Sequence, residues 1–259
     1  EFSFGACLDN FSRRVRVPAY RPRAVAFIAT SMLPRETIAT AQIPDGKELT
    51  LVSHGRDFII MLGRDELMGT RMQFSEEQLA VLTLAELEAS KPRILIGGFG
   101  MGFTYRAALA HLPAGGSVTV AELVPEILEW ARGPLAHLSA ESLDDPRGEV
   151  ILCNVEALID DANDGTSPKY DAILLDVDNG PDGIVVDSNF RLYTRTGIAK
   201  AKDALNPGGI MAVWSAAPDH KFTKRLKDAG FDVEVREVRA RPNNKGPRHT
   251  IWFARKTRA

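Results

Sequence analysis

Apolar and polar positions along this chain fall into two kinds of pattern, a strand-rich opening and then alternating strand and helix spacings. Within 36–62, three β-rich runs, ETIATAQI, ELTLVS and DFIIML, are separated by Pro44-Asp45-Gly46-Lys47 and His54-Gly55-Arg56, which are turn signals. The spacing predicts a small β-meander. Such a sheet buries too little to stand alone, so it is expected to pack on the main domain or on another subunit, which leaves a homodimer open. Across 74–89, Leu79, Leu82 and Leu87 recur among glutamates, predicting an amphipathic helix that runs toward Pro92.

The stretch 93–122 then reads strand, glycine turn, helix, strand. A turn without side chains lets backbone N–H groups and a helix N-terminus come close to a polar ligand. The glycines are spaced Gly98-x-Gly100-x-Gly102. A dinucleotide fingerprint begun at Gly98 would need glycine at position 103, where Phe103 stands instead. Glu122 ends the following strand, about where an acid reaches ribose hydroxyls in such folds, and a carboxylate can accept from both hydroxyls at once. The bland alternative is a glycine turn closing an ordinary α/β unit with Glu122 solvated. Glycine run, strand, helix and acid in this order favour a nucleoside site.

Alternation continues with a helix over 124–138, a strand over 149–153, a short helix over 155–161 and a strongly apolar strand over 170–177. A helix from about 189 to 205 is expected to stop at Asn206-Pro207-Gly208-Gly209, because proline cannot continue it and glycine frees the exit. A strand over 210–215, a helix over 220–229 and two final strands, 231–238 and 249–255, complete the chain. The last pair has no room for an intervening helix. The fold expected is therefore α/β, a mostly parallel sheet with one antiparallel edge strand behind the small β-meander.

Composition narrows the class. The 259 residues, 44% apolar, suffice for one large domain with an appendage, and a formal net charge of −2 argues against nucleic acid or an anionic membrane as the main partner. No apolar run spans a bilayer, since 24–33 is short and contains Thr30 and Ser31. Cys7 and Cys153 are too few for a disulfide framework, and His54, His111, His137, His220 and His249 lack ligand spacing, so no metal is expected and the setting reads as cytoplasmic. Residues 1–33 stand apart: six arginines, counting Arg35, and no acid lie between Asn10 and Arg35, a pattern of a targeting or upstream segment as much as of folded structure. The division expected is 1–33, a β-meander over 34–72, and a catalytic nucleoside-binding domain over 73–259.

The glycine spacing resembles motif I of the class I S-adenosylmethionine-dependent methyltransferases, and the order of elements resembles their seven-stranded Rossmann-like fold. A closer resemblance, over roughly 36–255, is to spermidine synthase, an aminopropyltransferase built on that fold behind an N-terminal β-domain. Arg64-Asp65-Glu66 is similar to the family's Arg-Asp-Glu. Ile96 to Gly102, IGGFGMG, is similar to Ile-Gly-Gly-Gly-Asp-Gly-Gly; Asp176 stands where the family has Asp-Ser-Ser-Asp-Pro, and Leu192-Tyr193 near a family Phe-Tyr. The resemblance implies that Glu122 contacts ribose, that Cys153, Asn154 and Val155 line the adenine, and that Asp176 is catalytic. The donor-binding set so expected is Gly98, Phe99, Gly100, Gly102, Glu122, Leu123, Asn154, Val155 and Asp176.

Three positions depart from the family. Gly100 replaces the loop aspartate, the tyrosine expected within 67–70 is missing, and Val177 and Asp178 replace the serines. In the family that loop aspartate helps hold the aminopropyl chain of decarboxylated S-adenosylmethionine. Losing it forfeits a charge-assisted hydrogen bond, about 1.5–3 kcal/mol or roughly 10- to 100-fold in affinity, and also removes a repulsion against the carboxylate of intact S-adenosylmethionine. The leading expectation is thus a methyltransferase acting on an amine with the intact donor. The alternative is an aminopropyltransferase using the decarboxylated donor, and a third reading, from another class, is a module that binds a nucleoside without catalysis.

The acceptor side reads as acidic. Asp176, Asp178, Asp182 and Asp187 fall in LDVDNGPDGIVVDSN, with no Lys or Arg between Lys169 and Arg191. Clustered carboxylates attract a cation, and their repulsion raises a pKa toward that of a useful general base, which fits a small cationic amine as acceptor. Asp176 is the first candidate to orient the nitrogen and take its proton, and Asp178 the second; Asp182 and Asp187 read as loop solvation and a helix cap. Trp214-Ser215 ends a strand on the ligand face, and Ser215 lacks the glycine elbow of a serine hydrolase. The basic stretch 236–258 reads as a solvated hairpin, an acidic-substrate or RNA contact being the sharper alternative.

Overall fold

Alternating side chains divide the chain into two sheets, and the structure, a computed structural model, describes residues 34–43, 46–177, 180–181 and 187–258. The segment 1–33 and the turn residues 44–45 thus lie outside the described residues, as do Asp178 and Asp182. The first sheet has the antiparallel order β1 (Glu36–Gln42), β2 (Glu48–His54), β3 (Asp57–Leu62), β4 (Asp65–Gly69). Its fourth strand was not expected. DELMG is too short and too acidic at its start to carry a period, and it is recruited by pairing, Leu62 opposite Asp65 and Ile59 opposite Gly69. Ile43, Leu49, Leu51 and Ile60 turn their side chains into the same core as Ile96, Phe99 and Met101, so the small sheet buries its apolar face on the main domain.

After α1 (Phe74–Ala85) come β5 (Arg93–Gly97), α2 (Phe103–His111), β6 (Ser117–Glu122), α3 (Pro125–Arg132), α4 (Ala136–Leu143), β7 (Gly148–Leu152), α5 (Val155–Asn163) and β8 (Tyr170–Leu175). A 3-10 helix over Asp187–Tyr193 leads to α6 (Arg195–Asp203), β9 (Leu205–Ser215), α7 (His220–Asp228), β10 (Phe231–Arg241) and β11 (Lys245–Lys256). The second sheet has seven strands in the order β10-β11-β9-β8-β5-β6-β7. Pairings from β9 to β7 are parallel, and β11 runs antiparallel to both neighbours. The reversed strand is therefore one in from the edge that β10 forms.

Both faces of this sheet are covered, as parallel strands require. Ile94, Ile96, Ala172 and Leu174 point to one side, toward residues of α1 to α3, while Leu95, Ile173 and Leu175 point to the other, toward α5 to α7. Among the described residues no helix is long and apolar enough to cross a membrane.

Three boundaries differ from expectation, each for a local reason. The helix expected over 124–138 is two helices, broken at Gly133-Pro134, where proline supplies no N–H and crowds the preceding turn. The helix expected over 189–205 is a 3-10 turn and then α6, separated at Thr194, whose hydroxyl caps α6 by accepting from Gly197 N at 3.1 Å. Residues 206–209 lie inside β9 rather than ending a helix; the register jumps from Tyr170–Leu205 to Ala172–Ile210, and this bulge absorbs the Pro-Gly-Gly run. The basic hairpin is tied to acids by Arg248 on Glu237 at 2.7 Å and by Arg255 on Glu86 at 3.0 Å.

Candidate functional site

The carboxyl ends of β9, β8, β5, β6 and β7 lie side by side, and the loops that leave them form one cavity against the small sheet. That is where ligands bind in open α/β folds. Gly98, with φ +87°, donates its N–H to Ala121 O at 2.9 Å, and a Cβ on it would lie 2.4 Å from the carbonyl oxygen of Asp176. Only glycine lets the loop pass that close to the end of β8. At Gly100, φ +54°, a Cβ would meet Met68 Sδ at 2.7 Å, so the thioether of β4 fills the space beside the bend.

Glu122 faces that bend. Its Oε2 accepts from Phe99 N at 2.8 Å and Gly100 N at 3.5 Å, and its Oε1 from Leu123 N at 2.7 Å and Val124 N at 2.9 Å. Burial raises its pKa, and the four backbone donors pull the other way. A carboxylate offers about four lone-pair positions, so amide groups already take its capacity and the acid shapes the loop. A ribose would compete most easily for the long Gly100 contact.

Asp176 is poorer in donors. Thr104, in the first turn of α2, donates to Asp176 Oδ2 at 2.6 Å, and the same hydroxyl lies 3.1 Å from the backbone oxygen of Glu76. One hydroxyl proton serves only one of these at a time, so a protonated Asp176 could donate to Thr104 while Thr104 donates to Glu76 O. Burial raises Asp176 to about 6, against the opposing pull of Thr104. That value suits a proton acceptor working near neutrality.

Glu76 itself lines the cavity, 5% exposed, and its Oε2 has no hydrogen-bond partner among the described residues. Burial first, then the neighbouring Asp176 and Glu77, raise its pKa well above the ordinary value. Its place on α1 is fixed by Ser75, which accepts from Trp214 Nε1 at 3.1 Å and meets His249 Nδ1 at 2.8 Å.

Of the residues expected from sequence, Gly98, Gly100, Glu122, Leu123, Asn154, Val155 and Asp176 are brought together on the cavity wall. Asn154 also caps α5, accepting from Glu156 N at 2.9 Å. Phe99 and Gly102 are not on that wall. The Phe99 ring is buried against Tyr105, centroids 5.8 Å apart, and only its N–H serves the site, while Gly102 starts α2 beneath that ring. Cys153 follows β7 rather than lying buried within it, and is half-buried on the cavity wall. The sequence reading missed Glu76, Thr104, Asn189 and the apolar wall that Ile43, Leu49, Ile60, Leu62, Leu67 and Met68 supply. With α1 docked, Glu76 shares the buried stripe of that helix with Leu79, Ala80 and Thr83, a placement that the glutamates around it conceal in the sequence.

Comparison with known proteins fits this geometry. The profile of the spermine/spermidine synthase domain matches residues 72–226, more than half of the chain. This chain belongs to that family. The matched segment of the spermine/spermidine synthase domain takes in Glu76, the glycine loop, Glu122, Asn154 and Asp176, and leaves the small sheet outside. The polyamine aminopropyltransferase of Mycobacterium tuberculosis is 28% identical over 194 residues, covering 72% of this chain and 35% of its own length. That of Aeropyrum pernix is 29% identical over 138 residues, covering 52% of this chain and 40% of its own. The chain thus spans between a third and two fifths of the length of these relatives. Among solved structures, spermidine synthase from Thermotoga maritima superposes with a TM-score of 0.67 at 20% identity, covering 86% of this chain and 74% of that one. A spermidine synthase in complex with the transition-state analogue AdoDATO gives 0.66 at 20% identity, with 86% and 73% covered. These two likenesses show the shared fold.

Proposed function

We propose that this chain is a spermidine-synthase-like transferase that moves an aminopropyl group from decarboxylated S-adenosylmethionine to a small amine. The observation that carries this reading is the charge inventory of the cavity: Glu76, Glu122 and Asp176 line it, and no Lys, Arg or His does among the described residues. An intact donor would bring a carboxylate into a site with acids and no cation, whereas the decarboxylated donor brings only an ammonium and a sulfonium. The names of the curated relatives, polyamine aminopropyltransferases, point the same way. Methyl transfer, the leading expectation from sequence, becomes the second reading; it keeps one observation in its favour, the glycine at position 100.

Such a donor, when bound, supplies an activated carbon next to sulfur and departs as a neutral thioether. The chain's own part is alignment and proton transfer. Asp176 orients the amine nitrogen, which must be unprotonated to attack, and accepts the proton released as the new C–N bond forms and the C–S bond breaks. Asp178, the second candidate, lies outside the described residues, and nothing is assigned to it. Glu122 keeps the glycine loop in the shape that receives the adenosyl part, with Asn154 and Val155 beside it.

Calorimetry with the intact donor, the decarboxylated donor and methylthioadenosine, followed by product analysis with mono- and diamines, tests the proposal. Tighter binding of the decarboxylated donor and aminopropylated products are expected. Tighter binding of the intact donor with methylated products would transfer the assignment to the second reading, and binding of adenosyl compounds without turnover would leave a non-catalytic module.

A further inference from the structure

We infer that Glu76 holds the ammonium at the end of the donor's three-carbon arm, supplying from α1 the carboxylate that the glycine loop lacks at Gly100. The inference rests on the aminopropyl-transfer reading. Glu76 occupies a place where packing alone would put an apolar side chain, in line with Leu79, Ala80 and Thr83 on the buried stripe of α1. A buried carboxylate oxygen without a partner is costly, and among the described residues Glu76 Oε2 is one, on a side chain that lines the cavity. The cation beside the next residue is taken: Arg106 donates to Glu77 Oε1 at 2.8 Å and to the Leu138 carbonyl at 2.8 Å.

Sheet order decides which ligand group Glu76 meets. Glu122 and Asn154 sit at the ends of β6 and β7, on one flank of β5, while Asp176 and Trp214 sit at β8 and β9, on the other. Glu76 belongs to the second flank, tied to Asp176 through Thr104 and to Trp214 through Ser75. An adenosyl group over the β6–β7 flank therefore extends its sulfonium arm across the glycine loop toward Glu76. At that crossing the loop offers no acid, because Met68 Sδ fills the space where a Gly100 side chain would start. An ammonium reaching Glu76 would supply the partner that Oε2 lacks and offset the cost of ionising it.

Glu76→Gln keeps the shape and removes the charge. Calorimetry on wild type and variant with decarboxylated S-adenosylmethionine and with methylthioadenosine, which shares the adenosyl part and lacks the arm's ammonium, separates the roles. The variant is expected to lose about 10-fold or more in affinity for the decarboxylated donor and to stay within about twofold for methylthioadenosine. Equal losses for both ligands, which mark a structural role, would overturn the inference, as would no loss for either. If wild type binds neither ligand, the proposed function fails with it; if wild type binds both and the variant matches it, only the role of Glu76 falls.

Discussion

Glu122 at the end of β6 and the pair Asp176 and Glu76 beside β8 are acids on one cavity, Asp176 half-buried and the other two buried, yet their surroundings are opposite. Among the described residues, four backbone N–H groups converge on Glu122, whereas Asp176 has the Thr104 hydroxyl and Glu76 Oε2 has nothing. Burial raises the pKa of all three, so the direction of that shift does not distinguish them. Donor supply does. Where amides converge, the acid is spent on holding the loop; where they are withheld, it keeps its capacity for a ligand nitrogen or a proton.

Asp176→Asn is the strongest test of that contrast. Turnover should fall by about 10²- to 10⁴-fold while donor affinity, read by calorimetry, moves by no more than about threefold. A parallel loss in both would place Asp176 with the scaffold. The proton it takes sets the next effect. With Asp176 at about 6, protonating it should steepen the fall of kcat/KM below that value by about a further tenfold per pH unit, beyond the slope that protonation of the amine itself gives, and the Asn variant should lose this break. Stability follows the opposite sense. The folded pKa lies above the ordinary 3.8, so protonated Asp176 favours the fold, a contribution whole below pH 3.8 and lost as pH rises through about 6. Asp176→Asn should therefore leave the melting temperature at pH 8 unchanged or higher.

Glu122→Gln should do the reverse. Turning one oxygen into an amide leaves two backbone N–H groups facing a donor, which costs roughly 2–4 kcal/mol and lowers the melting temperature by about 5–12 °C. A thermal scan of both variants at pH 8 reads the contrast directly. If Glu122→Gln is as stable as wild type, the four amides are not what holds the loop.

The short apolar run of β5, the glycines after it and Glu122 at the end of β6 were legible because strand, turn and acid follow one another within thirty residues. Asp176 was legible for a similar reason, as an acid closing an apolar run. Glu76 was not, since a glutamate among Glu77 and other acids looks solvated until α1 is docked and Thr104 and Ser75 fix which face is inside. Met68 was equally hidden: β4 has no period of its own, and only its pairing with β3 carries Met68 to Gly100. What sequence missed is what long-range packing decides.

The smallest expected effect probes that packing. If Glu76 does from α1 what an acid on the loop could do, moving the charge should recover part of the loss. Gly100 has φ +54°, a left-handed conformation that aspartate tolerates at a cost of about 1 kcal/mol, and the atoms its Cβ would strike belong to the flexible end of Met68. Truncating that end first, Met68→Ala, opens the place without touching the backbone. In a Glu76→Gln background, Met68→Ala with Gly100→Asp should then regain roughly threefold or more in affinity for the decarboxylated donor, and nothing for methylthioadenosine. Recovery for both ligands would mean that the paired substitutions reshape the loop rather than restore a charge, and the division between the two flanks of β5 would lose its electrostatic basis.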